Sequence, residues 1–84
     1  MKPENRLWLE QNYPAYVGFI RNMTLPATID YEKALRVMRE EWRPGYNTNL
    51  ADPGCRGNML KDLFYLYQVE LNEEEQPAPI KISM

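Results

Sequence analysis

Apolar residues in this chain recur at intervals of three and four, hardly anywhere at two, and each such run is closed by proline or glycine. That pattern calls for helices and leaves almost nothing for strands. Three runs carry it. The first spans about Pro3 to Met23: Pro3 suits a helix start, Leu7, Trp8 and Gln11 share one face, and Tyr16, Val17, Ile20 and Met23 form an apolar stripe. Pro14 lies in its middle, where it removes a backbone donor and pushes Tyr13 away from helical angles, so a kink or a division into two helices is expected.

The second run, Asp30 to Trp42, is the clearest. Asp30 or Thr28 can serve as N-cap, with Ile29 as a hydrophobic staple. Tyr31, Ala34, Leu35, Met38 and Trp42 fall within an arc of about 100 degrees, and Glu32, Lys33, Arg36, Arg39, Glu40 and Arg43 cover the other side. Pro44-Gly45 stops it. The third run starts near Gly57 or Asn58 and continues to about Leu71. Met59, Leu60, Leu63, Phe64, Tyr67 and Leu71 make one broad face, which Leu66 and Val69 extend past half the circumference. Such a helix is either central in a bundle or partly covered by another chain.

The expected fold is therefore all-α, a compact bundle of three to four helices with a long loop before the last one and an extended C-terminal tail. The expected core is Trp8, Leu35, Met38, Trp42, Leu60, Leu63, Phe64 and Tyr67. Residues 1–72 form the helical domain. Residues 73–84, acidic and proline-containing, read as a disordered tail in which Ile80, Ile82 and Met84 alternate with Lys81 and Ser83 and could add a strand to a partner's sheet.

What the chain lacks narrows its chemistry. Eighty-four residues make one domain that buries roughly 60% of its unfolded surface, too little for a large catalytic pocket. There is no His, and the one Ser, Ser83, is next to the last residue, which removes a Ser-His or Cys-His nucleophile pair. One Cys without His excludes the usual zinc sites and an intrachain disulfide, in keeping with a reducing cytoplasm. No two of Glu40, Glu41, Asp52 and Asp62 have the spacing of a catalytic carboxylate pair. No cofactor is expected. The longest apolar-type stretch, Ala15 to Ile20, falls far short of the roughly 20 residues that span a bilayer, and Met1 to Glu10 lacks the apolar core of a secretory signal, so no membrane association is expected.

The net charge of −2 conceals a dipole: residues 33–61 sum to +3 and residues 62–84 to −4. Within the basic part, the connection from Arg43 to Cys55 exceeds the two to eight residues usual between bundle helices, and loops of that length often carry function. Its Tyr46, Asn47 and Asn49 are candidate partner contacts, together with Arg56 and Asn58 at the start of the third helix and Leu66 and Val69 on its excess apolar face. Gly54-Cys55-Arg56-Gly57-Asn58 places a cation beside the free backbone donors of a helix start, which favours an anion. It is no Walker loop, and its likeness to the GxxG loop of KH domains covers four residues without the strands that fold needs. Cys55 shares this electropositive setting, with nothing nearby to resolve a disulfide or act as base.

The reading that follows is a small cytoplasmic, non-catalytic protein–protein interaction module, with a second copy of the chain among its conceivable partners. The alternative is a nucleic-acid-associated accessory protein that contacts phosphates through Arg36, Arg39, Arg43, Arg56 and Lys61. A sequence pI near 5.1 speaks against the alternative.

Overall fold

The structure, a computed structural model, describes residues 1–75. They form three helices, α1 (Pro3–Asn22), α2 (Tyr31–Glu41) and α3 (Pro53–Glu75), with no strand among the described residues. The all-α bundle is therefore the fold. The rest of the expected tail, Ile80, Ile82 and Met84 included, lies outside the described residues.

Helix α1 begins with Pro3 in its first turn, behind an extended Lys2 that offers no side-chain cap. It runs through Pro14 without a break, so the division into two helices does not occur. An interior proline costs about 3 kcal/mol locally. Here Leu9 anchors one half of the helix and Phe19 the other in the same core, and Pro14 itself faces solvent. Packing on both sides outweighs the lost hydrogen bond. The helix ends at Met23, which adopts left-handed angles (φ 56°) while its N–H donates to the Phe19 carbonyl at 2.7 Å.

Helix α2 starts where expected: the Asp30 carboxylate accepts from the Lys33 N–H at 3.1 Å, and Ile29 is buried just ahead of it. Helix α3 starts earlier than expected. Asp52, not Asn58, caps it, accepting the Cys55 N–H on Oδ2 at 3.1 Å and the Arg56 N–H on its carbonyl at 3.0 Å. Pro53 follows in the position proline favours. At its other end α3 continues past Leu71 to Glu75, and Glu74 pairs with Arg6 of α1.

Side-chain contacts set the topology. Helix α1 is antiparallel to α3: Arg6 meets Glu74, Tyr13 accepts from Gln68, Tyr16 stacks on Phe64 (centroids 4.6 Å apart), and Phe19 lies against Gly57. Helix α2 is parallel to α3, because Tyr31 at its start lies under Arg56 and Trp42 past its end donates to Glu70 at 3.2 Å. Parallel neighbours require a connection that returns along the whole of α2, about 16 Å for eleven residues. Residues 42–52 make that return, so topology accounts for the length of this loop.

The buried core comprises Leu9, Phe19, Ile29, Ala34, Val37, Met38, Met59, Leu60, Leu63, Phe64 and Tyr67. Helix α3 supplies the last five and packs against both other helices, so its broad apolar face belongs to a central helix. Trp8, Leu35 and Trp42, expected at the centre, are only half-buried at its edge. On α2 the buried face is centred on Ala34, between Val37 and Met38, which leaves Leu35 and Trp42 at its edge, and on α1 Asn5 and Leu9 are the fully buried residues beside Trp8.

Candidate functional site

The return loop is tied down by its own chain. Arg39 donates through Nε to the Tyr46 carbonyl at 2.8 Å and through a terminal nitrogen to Asn47 Oδ1 at 3.4 Å. Asn49 closes a local turn, accepting from the Ala51 N–H at 3.0 Å and the Asp52 N–H at 3.1 Å. Tyr46 and Leu50 pack against the core, and burial together with the Asp62 carboxylate pushes the Tyr46 phenol above its usual range. Of the loop's candidate contacts, Asn47 and Asn49 are exposed and Tyr46 is half-covered.

The basic candidates disperse. Arg36 and Arg43 are exposed, Arg39 holds the loop, and Arg56 lies with its guanidinium 5.2 Å above the Tyr31 ring, its Nε buried without a partner. Burial pushes the Tyr31 phenol up and the Arg56 charge partly offsets that. Two of the helix-start donors, the Cys55 and Arg56 N–H groups, are already engaged by Asp52. Cys55 is half-buried in that same turn. The Glu32–Arg36 pair that the spacing suggests is not among the ion pairs of the described residues, which instead join α1 and the N-terminus to α2 and α3. Leu66 and Val69 are half-buried, with Leu66 packed against the chain's own core.

Two other candidates, Asn58 and Lys61, do come together. They line a cleft of about 450 Å³ where the end of α1 meets the start of α3, with Phe19, Met23, Leu25, Pro53, Gly54 and Gly57 as the remaining wall. Gly57 is what lets the helices close here: a Cβ on it would stand 3.1 Å from the Phe19 ring edge. Phe19 therefore floors the cleft, and Lys61 reaches over the ring with Nζ 6.0 Å from its centroid. Lys61 pairs with no carboxylate among the described residues. Met23 stands 67% exposed at the rim, the largest exposure of any bulky apolar side chain described.

The sequence pattern places Met23 in the apolar stripe of α1 and Gly57 at the start of α3, and it does not single out Phe19 or Leu25. A signal existed in Asn22-Met23-Thr24-Leu25-Pro26, where two bulky apolar residues follow the helix end. A second groove, about 460 Å³, lies further along the α1/α3 seam between Glu10, Tyr13, Tyr67, Gln68, Leu71 and Asn72.

At the far end of the bundle, Asn5 is fully buried and joins α1 to α2. Its Nδ2 donates to Glu40 at 3.1 Å and Glu41 at 2.7 Å, and the Lys2 N–H donates to Glu41 at 3.0 Å. The hydrogen bond from Asn5 holds the Glu40 carboxyl below its usual range. These carboxylates serve as internal joints. Among the described residues no His, Cys, Asp and Glu cluster could hold a metal, and no helix is long and apolar enough to cross a membrane. Comparison of the sequence with protein-family models, with curated proteins and with solved structures gives no match.

Proposed function

We propose that this chain is a non-catalytic protein–protein interaction module and that its partner docks at the Phe19/Met23/Leu25 cleft. The observation that carries the reading is the exposure of Met23 beside a ring-floored cleft edged by an unpaired lysine. Methionine is a flexible, polarizable side chain suited to such contact surfaces. The matching segment presents an apolar side chain to Phe19 and Leu25 and a carboxylate to Lys61, since a buried apolar contact flanked by one charge pair supplies both affinity and orientation. The half-covered state of Leu66 and Val69 and the internal use of Arg39 favour this surface over the other candidates. No comparable observation favours phosphate binding.

The test is recovery of partners from the native cell with the parent chain and with Met23→Asp, Lys61→Glu and Arg36→Ala, all checked by thermal melts and after nuclease treatment. A protein retained by the parent and by Arg36→Ala, but lost with Met23→Asp and weakened with Lys61→Glu, supports the reading. Equal recovery by the parent and all three variants, or recovery that disappears with nuclease, defeats it.

A further inference from the structure

The pair α1 and α3 has helix α2 on one side only. Among the described residues nothing covers the opposite side, and the molecule is 21 Å across in its thinnest direction, the depth of two helix layers. The open side can be traced from the seam. Continuing along α1 from the groove-lining Glu10 and Tyr13 in steps of three and four gives Val17, Ile20 and Arg21, and the same steps from Gln68 along α3 give Tyr65, Lys61 and Asn72. Tyr65 is 66% exposed and Ile20 42% exposed, while Tyr13 and Val17 are half-buried. Apart from Gln68, which donates to the Tyr13 hydroxyl, the middle of this face is therefore apolar.

Its ends carry opposite charges. Glu10 stands toward one end, and Arg21 and Lys61 toward the other. None of the three forms an ion pair among the described residues, although Arg6, next to Glu10, is committed to Glu74. A face that is apolar at its centre, acidic at one end and basic at the other is complementary to itself after rotation by half a turn, the requirement of an isologous interface. Antiparallel packing of α1 on its counterpart, centred between Tyr13 and Val17, would bring Glu10 opposite the other copy's Arg21. The same operation brings Tyr65, near the middle of α3, against its own counterpart.

We infer that this open face of α1 and α3 takes a second copy of the chain, giving an antiparallel dimer with a four-helix layer at its centre. The inference does not rest on the partner cleft: Met23 and Leu25 lie at the end of the seam and outside this pairing, and Lys61 is the one residue the two surfaces share. Two chains joined this way would hold two such clefts at opposite ends.

Sedimentation equilibrium across a wide concentration range tests it. The parent should approach twice the chain mass of 10.0 kDa. Tyr65→Glu should sediment as a monomer with its helical content unchanged and a cooperative melt retained, and Tyr65→Gln provides a milder form of the same test. Glu10→Arg and Arg21→Glu should each weaken the dimer at least tenfold by setting like charges opposite each other, and the double variant Glu10→Arg/Arg21→Glu should restore it. The inference is overturned by monomer mass at every concentration, by a dimer indifferent to Tyr65→Glu and to both single exchanges, or by failure of the double exchange to restore association.

Discussion

Asn5 shows how one side chain can hold a helix in place. It is fully buried and donates to two carboxylates of α2, so α1 is fastened at its first turn by hydrogen bonds to charged acceptors, the stronger kind. Replacement by Ala leaves Glu40 and Glu41 to solvent and should lower the melting temperature at neutral pH. The sign of its pH dependence follows from the lowered Glu40 carboxyl. A depressed acid contributes stability above its unfolded value and loses that contribution as pH falls through its folded value. The difference in melting temperature between parent and Asn5→Ala should therefore be full at neutral pH and shrink in acid. A difference that stays constant into the acid range would show that packing, and not the carboxylate contact, fixes the helix.

Among the elements, α1 is the one that departs from its local sequence. Pro14 is exposed to solvent, yet it removes one intrahelical hydrogen bond. Pro14→Ala should restore that bond and raise stability by about 1 to 3 kcal/mol, read from chemical denaturation. A neutral or destabilising outcome would mean that the helix bends at this point and that the bend is needed for packing. The connection between α2 and α3 obeys a different constraint. Its length is a matter of reach, for the chain must travel back about 16 Å beside α2 before α3 can start next to Tyr31. Deleting residues 44–50 would leave four residues, about 13 Å at full extension, between the helices. That variant should lose its cooperative melt or exchange α2 between chains, whereas a functional loop not needed for topology would leave the melt intact.

For the whole molecule, stability concentrates in α3, the helix that touches both others. Leu63 is fully buried at its centre together with Leu60 and Phe64. Leu63→Ala should cost about 2 to 5 kcal/mol, a large share of what so small a domain possesses. A variant that melts as the parent does would show that α3 is not the centre of the fold. The tyrosines report on the same packing: burial pushes the phenols of Tyr16, Tyr31 and Tyr67 up.

The helical class, the cap at Asp30 and the broad face of α3 were legible because each depends on neighbours within one or two turns, where residue type and spacing decide the outcome. The early start of α3 has a sign in Asp52-Pro53, but with Gly54 the same residues read as a turn. Three things were decided only by tertiary structure. Continuity through Pro14 depends on a core that grips both halves of α1. The parallel course of α2 depends on which helix ends meet, and a sequence carries no local sign of that. The cleft at Phe19, Met23, Leu25 and Lys61 joins residues about forty positions apart, brought together because Gly57 admits the Phe19 ring between two helices. Periodicity states which face of a helix is apolar, but what that face meets is settled by the packing of the whole chain.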